Sequence, residues 1–400
     1  MQTDIVVAGS GCVGSLAAAL LAQSGWRVVL VAPGQPLPES LPAEPEARVI
    51  ALAPQIEQAL RACDVPTQPW QERGAPVRAM QVEVPGVGAV EFSAADVQAP
   101  ALARIVEVSA LQRAFEGMLQ RQRVRWENDH VVRRSPQGVE LASGVHIQAP
   151  LVLACDGASS ALRTQAHIPT QRHDYRQTAI VARLRASHAA QAVARQTMSA
   201  QGVLGVLPLV DGSLSVVWSL PAAVAQRWLQ ASPAEFAQGL GQALNIDWGE
   251  WELLGKRAHF PLRSLHAESL CAEGLALLGD AAHTVHPLAG LGLNLGLADV
   301  LSLVPLLQQG REQGRSLADP ALLRRWSRQR KAQVAPYRHF IDLLAGLGSK
   351  HTLAWRGVGL GFGVVSRQNA LRQWFARQAL AGSMPAESTA RPAGAIMRAQ

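Results

Sequence analysis

Asp4-Ile5-Val6-Val7-Ala8-Gly9-Ser10-Gly11-Cys12-Val13-Gly14 is the stretch whose reading decides the fold. Ile5 to Ala8 is a short apolar, β-branched run, and glycines end it. Ser15 to Ser24 is rich in Ala and Leu, and Trp26 to Val31 is apolar again. That order reads strand, glycine turn, helix, strand: one βαβ unit in the first 32 residues. Gly9, Gly11 and Gly14 have the GxGxxG spacing in the context it requires. There, glycines allow a tight turn and let backbone N–H groups at a helix N-terminus approach a pyrophosphate. Without a ligand the same residues make a plain glycine turn. One usual element is missing. The second strand should end in Asp or Glu for the ribose hydroxyls, but Val31 is followed by Ala32-Pro33, so the adenosine ribose has to find another partner or bind more weakly.

Far along the chain, Leu275 to Leu278 reads as a strand ending at Gly279-Asp280. Ala281-Ala282-His283, Pro287, Gly290 and Leu291 follow, and Gly292-Leu293-Asn294 opens a long helix. An acidic residue at a strand end before a glycine-rich turn into a helix points free N–H groups at an electron-rich ligand edge. Asp156-Gly157-Ala158-Ser159-Ser160 follows a buried strand, Pro150 to Ala154. The carboxylate and hydroxyls there would contact a sugar or phosphate, Asp156 or Ser159 would cap the following helix, or both. Arg48, after the Pro-rich loop from Pro33 to Pro45, is either a charge-assisted phosphate donor or a solvated surface arginine.

Between these segments the pattern is strand-rich. Val77 to Phe92 alternates as antiparallel strands, Val131 to Ile147 reads as a hairpin, and Val206–Val210 with Leu214–Trp218 forms another across Asp211-Gly212. Val49 to Ala62 has helical spacing, as does Leu111, Phe115 and Leu119. Everything after Leu322 reads as helical up to a Pro, Ala and Ser-rich tail from Ser383. The expected fold class is α/β: a Rossmann-like nucleotide-binding domain assembled from discontinuous segments (1–70, 100–172 and 265–335), with an inserted strand-rich domain (73–99 and 173–264). A C-terminal helical region (336–382) and a disordered tail (383–400) complete it.

Composition narrows the function classes. Four hundred residues suffice for two or three domains, and 48% hydrophobic with 17% charged residues excludes a disordered or charge-driven chain. The net charge is +7, yet only Lys256, Lys331 and Lys350 are lysines among 37 basic residues, and the arginines are dispersed. No run tracks a nucleic acid backbone, so nucleic acid is not an expected partner. Cys12, Cys63, Cys155 and Cys271 form no CxxC pair, no signal peptide is visible, and no apolar stretch is long enough to span a bilayer. A cytoplasmic protein, at most at the membrane periphery, is expected. His283 and His286 lack the partners of a metal site, so no metal is expected. Gly357 to Gly363 is glycine-rich but opens no βαβ unit.

GxGxxG, Asp156-Gly157 and Gly279-Asp280, in that order, resemble the group A FAD-dependent aromatic hydroxylases, the para-hydroxybenzoate hydroxylase fold, from about Asp4 to Leu380. Within that group the chain is most similar to the ring hydroxylases of ubiquinone biosynthesis. This closer likeness is carried by Asp174-Tyr175-Arg176-Gln177-Thr178-Ala179-Ile180, Leu207-Pro208-Leu209, Val217-Trp218-Ser219, His286 to Gly290 with Asn294 to Leu297, and Arg328 to Lys331. The resemblance implies FAD held at Gly9, Gly11, Gly14, Arg48, Asp156, Gly157, Gly279, Asp280, Pro287, Gly290, Gly292, Leu293 and Asn294. Tyr175, Leu207, Pro208 and Trp218 become candidates to line an apolar ring pocket, or are only a β-core. It implies NAD(P)H as a transient reductant, molecular oxygen as co-substrate, and hydroxylation of a polyprenylated phenol or other hydrophobic aromatic through a flavin C4a-hydroperoxide. The residues nominate no general base, so the catalytic residues are unassigned.

The chain departs from that family's pattern at Ala32, at Val108 where a polar residue is usual, at Leu291 where Gln is usual, and at Ala200-Gln201-Gly202, which lacks an Arg-Phe. Two other readings stay open: a flavoprotein reductase or dehydrogenase, and an FAD-poor scaffold in a biosynthetic complex. Ile341, Leu343, Leu344, Leu347, Leu353 and Trp355 alternate with basic residues. That stretch either lies against a membrane surface or another ubiquinone-biosynthesis protein, or packs as a helix on the FAD domain.

Overall fold

The computed structural model describes residues 1–34, 46–189, 192–199, 201–244, 246, 248–286 and 292–347, the last of these with side chains as far as Arg338. The expected glycine-rich segment 357–363 and the tail 383–400 lie outside the described residues, as do Pro287, Gly290 and Leu291.

The opening βαβ unit forms as read. Ile5–Ala8 sits at the centre of a six-stranded sheet, parallel to Val28–Val31 on one side and to Leu151–Ala154 on the other. Leu275–Leu277 adds beyond Leu151–Ala154, and Arg125–Glu127 beyond Val28–Val31. The three central strands are buried at every position, which is why they are continuously apolar rather than alternating: helices cover both faces of a parallel sheet. The helices Cys12–Gln23, Val108–Arg121 and Gly292–Glu312 supply much of that cover through Leu16, Leu111, Phe115 and Leu297.

The second large sheet has eight strands, and Thr170–Ala186 and Trp251–Ala267 are its longest pair. Both hairpins read from the sequence are present, Val131–Ser135 with Gly138–Leu141 and Gly202–Pro208 with Leu214–Pro221. Period-two alternation divides the residues of this sheet. Ile180, Leu204, Val206, Val216 and Trp218 pack beneath the helices Ala222–Gln230 and Pro233–Leu244 against Phe236 and Leu240. The opposite face carries Ser215 and Leu207 toward a small third sheet, Val49–Leu52, Ala103–Glu107 and Ala75–Val77.

That small sheet corrects two expectations. Val49 to Ala62 is not one helix: Val49–Leu52 is a strand, and the helix begins at Pro54, whose missing N–H suits a first helical position but no interior one. Ala75–Val77 pairs with Ala103–Glu107 rather than with the strands that follow it, so the border expected near residue 73 does not follow the hydrogen bonding.

Candidate cofactor site

Gly9 and Gly14 leave no room for a side chain. A Cβ on Gly9, at φ +109°, would lie 2.2 Å from the Cys155 carbonyl oxygen, and one on Gly14 would lie 1.9 Å from that of Gly9. The Gly9 N–H donates to Val31 O at 2.8 Å, pinning the turn to the second strand. Gly11 differs, since a Cβ there would meet nothing within 4 Å. Gly11 is the N-cap of the helix Cys12–Gln23, and no side chain caps that helix. The first N–H groups and the positive end of the helix dipole therefore face an open cradle suited to an anion.

The Ser10 carbonyl is fixed twice, accepting from Ser15 Oγ and from Gln112 Nε2, both at 2.8 Å. Gln112 also reaches Ser15 Oγ and Glu116. Sequence reading missed it, because nothing local marks a glutamine on a later helix as the buttress of a turn in the first. Cys12 is buried in this turn, with its thiol pushed up to about 12 by burial. It is therefore a neutral packing group and not a nucleophile.

The strand Leu151–Ala154 delivers Asp156 beside the first glycine turn. Asp156 Oδ2 accepts from the Leu162 N–H at 3.3 Å, while Ser160 Oγ caps the helix Ala161–Gln165 through the Arg163 N–H at 3.0 Å. Capping is thus shared between Asp156 and Ser160, the cap falling on Ser160 rather than on the expected Ser159. Among the described residues, Asp156 Oδ1 is buried with no hydrogen-bond partner, an acceptor left unsatisfied by them. Arg163, also buried, donates to Ala158 O and to Ala281 O at 2.8 Å each, tying this loop to the Gly279-Asp280 turn.

That turn meets the first one directly. Gly279 is at φ +59°, and a Cβ on it would lie 3.0 Å from Val13 Cγ2; one on Gly296 would lie 2.6 Å from the same methyl and 3.1 Å from Gly279 Cα. Glycines at 279 and 296 thus let the helix Gly292–Glu312 and the strand end close onto the helix at Val13. Asp280 stays exposed at this junction, while the protein around it strips enough water to raise its carboxyl above the usual carboxylate range, against the pull of His283 and Arg48. The exposed Arg48 exerts its charge on both Asp280 and Cys12. Two motifs at opposite ends of the chain converge here, with a cation beside them.

Asn294 is fully buried, and its amide is used by the protein. Nδ2 donates to Ala51 O at 2.8 Å and Oδ1 accepts from the Ala53 N–H at 3.0 Å. Any contact it makes with a cofactor falls to its backbone. Gly292 and Leu293 open the same helix, and Leu293 packs half-buried against the core.

The ring-pocket candidates separate. Tyr175 stands edge-on to His286 at 4.8 Å and to His173 at 4.6 Å, within a bulge where Arg176 adopts φ +55°. It thereby joins the strand-rich sheet to the residue preceding Pro287. Leu207 lies on the face toward Val77 and Ile105. Trp218 points the other way, into the helix-covered core 5.1 Å from Trp228 and 6.1 Å from Phe236. Pro208 is buried and shares the strand parity of Val206. Those two therefore do not line a pocket on the cofactor side; the sequence shows alternation but not which of the two faces is inward.

FAD fits these residues. The open face at Gly11 has room for a pyrophosphate, Asp156 Oδ1 would be free to accept from a hydroxyl, and the exposed Arg48 would supply positive charge. A family model described as the FAD binding domain matches residues 94–337. The 3-demethoxyubiquinol 3-hydroxylase of Escherichia coli is 31% identical over 361 residues, covering 85% of this chain and 88% of that protein. This chain belongs to the FAD-dependent aromatic hydroxylases. The flavoprotein monooxygenase is also 29% identical to the mitochondrial ubiquinone biosynthesis monooxygenase of Drosophila melanogaster, over 88% of this chain and 82% of that one. Its fold matches the crystal structure of p-nitrophenol 4-monooxygenase from Pseudomonas putida with a TM-score of 0.76 at 18% identity, covering 95% and 98% of the two chains. Among the described residues of the monooxygenase, no helix is long and apolar enough to cross a membrane, and no group of three His, Cys, Asp or Glu is placed to hold a metal.

Proposed function

We propose that this FAD-dependent monooxygenase hydroxylates the ring of a polyprenylated phenol intermediate of ubiquinone biosynthesis, with NAD(P)H as reductant and molecular oxygen as co-substrate. The convergence of the Gly9–Gly14 turn, the Asp156 loop and the Gly279-Asp280 turn around the open Gly11 face carries the cofactor half of this reading. The names of the Escherichia coli and Drosophila melanogaster relatives, a demethoxyubiquinol hydroxylase and a ubiquinone biosynthesis monooxygenase, support the substrate half.

FAD, when bound, supplies the two-electron chemistry that activates oxygen. Gly11 and the first N–H groups of Cys12–Gln23 bind its pyrophosphate, and Arg48 adds charge-assisted donors. Asp156 accepts from a sugar hydroxyl, and Asp280 holds the ribityl region. The opening turn at Gly292, Leu293 and Asn294 offers backbone N–H groups to negative charge on the reduced ring system, a preorganised electrostatic role. Pro287 and Gly290, which lie outside the described residues, belong to the same proposed FAD-binding set. Leu207 and Tyr175 flank the substrate side and exclude water. We further propose an FAD domain from 1–70, 100–172 and 265–335 and a substrate domain from 73–99 and 173–264, with Ala75–Val77 crossing the border to pair with Ala103–Glu107. Contact with the membrane periphery and with other ubiquinone-biosynthesis proteins is part of the same reading.

The test uses purified protein, FAD, NADH or NADPH, and a short-chain prenylphenol under isotopically labelled oxygen. Product carrying one labelled oxygen atom supports hydroxylation. Substrate-dependent NAD(P)H oxidation with no labelled product indicates a reductase or dehydrogenase. A colourless protein that gains no flavin on incubation indicates a scaffold.

A further inference from the structure

We propose that Glu107 is a positioning residue for the cofactor site: clamped by Arg73, it fixes the strap of residues 46–48 and so places the Arg48 guanidinium. The proposal rests on the reading of Arg48 as a phosphate-binding cation.

Glu107 is 1% exposed at the end of the strand Ala103–Glu107, yet it is saturated with donors. Arg73 grips it with both arms, Nε to Oε1 at 2.7 Å and Nη2 to Oε2 at 2.8 Å. The Glu46 N–H donates to the same Oε2 at 2.9 Å. Glu46 in turn accepts the Ser109 N–H at 3.1 Å, so its carboxylate closes the first turn of the helix Val108–Arg121. The next two residues are held from other directions. Ser215 Oγ, on the strand-rich sheet, donates to Ala47 O at 2.9 Å, and the Val108 N–H donates to Arg48 O at 3.2 Å.

Three consecutive backbone units are thus tied to three different elements, and the arginine they carry is exposed and within electrostatic reach of Asp280. An arginine on a free loop loses much rotamer and backbone freedom when it binds an anion, whereas one on a fixed backbone loses less. Bidentate Arg–carboxylate geometry is also directional, which suits a clamp. Helix capping alone accounts for Glu46 and Ser109, but it does not require Arg73, Ala47 or Ser215.

The experiment is a double-mutant cycle on the full chain, reading FAD dissociation and its dependence on salt. Arg48→Ala should weaken FAD on the order of ten- to hundredfold and flatten the salt dependence, since an ion pair to phosphate is screened. Glu107→Gln keeps an acceptor for Glu46 and leaves Arg73 able to hydrate. It should weaken FAD severalfold and flatten the salt slope in the wild-type background, and do neither in the Arg48→Ala background. Equal losses in both backgrounds overturn the proposal alone. No loss in Arg48→Ala overturns the reading of Arg48 and the proposal with it. If Glu107→Gln does not fold, Arg73→Gln enters the same cycle, with the same outcomes.

Discussion

Arg330 Nε donates to Asp299 Oδ1 at 2.9 Å with both side chains sealed from solvent. The other oxygen of Asp299 accepts the Gly279 N–H at 2.9 Å and lies 2.8 Å from His283 Nε2. Arg330 also reaches Leu295 O at 3.2 Å. One buried carboxylate therefore joins the helix Pro320–Leu347 to the Gly279-Asp280 turn and to the first turn of Gly292–Glu312. Breaking a buried pair strands the remaining charge, at about 3–5 kcal/mol. Arg330→Met should melt much earlier than wild type and lose flavin as it does so. A differential scanning trace with an unshifted midpoint would reject this.

Acid should expose the same carboxylate. Burial pushes the Asp299 carboxyl up, but His283, Arg330 and the Gly279 N–H outweigh it and hold it below the ordinary 3.8. A carboxyl lower in the folded than in the unfolded state adds stability above the unfolded value and loses it as pH falls through the folded one. Wild type should therefore lose stability steeply below about pH 4. Asp299→Asn should be weaker at pH 7 and show a flatter acid limb in denaturant titrations.

Asp280 has the opposite sign. Its carboxyl, though exposed, is raised by the loss of hydration that the surrounding protein imposes, so folding favours the protonated form, and stability falls as pH rises through the window above 3.8. Asp280→Asn should raise the melting temperature of the flavin-free protein at pH 7 while weakening FAD. Unchanged melting together with unchanged flavin affinity would remove Asp280 from the site.

The glycines of the first turn should part company. Gly11→Val meets open space and should leave the flavin-free fold intact while reducing bound flavin severely. Gly14→Ala drives a methyl into the Gly9 carbonyl and should lower stability by about 1–3 kcal/mol or more, as overpacking does. Equal thermal losses in the two variants would contradict the cradle.

Trp218→Ala should cost about 3–5 kcal/mol through the cavity it leaves against Trp228 and Phe236. Trp218→Phe should leave the substrate preference unchanged, whereas Tyr175→Ala should alter KM. A change of preference in Trp218→Phe would place that side chain back in the pocket.

The glycine turns, the βαβ unit and both hairpins were legible because each is a local pattern: turn residues at fixed offsets and a period of two or 3.6. Asp299, Arg330, Arg73, Glu107 and Gln112 were not assigned roles, since each gains meaning only from a partner that the fold brings from far along the chain. Asn294 was found by its position, but its amide turned out to serve Ala51 and Ala53. Trp218 shows a related limit: alternation divides a strand into two faces, and only the helices packed on one of them decide which faces inward. Val49 to Leu52 misled because four apolar residues before a proline carry too few turns to distinguish strand from helix.

Val13 sits against Gly279 and Gly296, and this fixes an order of events during synthesis. The ribosome releases the Gly9–Gly14 turn long before the strand and helix that close on it, and the edge of Leu151–Ala154 waits unpaired until Leu275–Leu277 emerges. Nascent chains of this length are prone to pair such edges wrongly. Flavin can then be held only after Gly296 has emerged, and a chain stopped before Gly296 should retain no flavin when it is supplied.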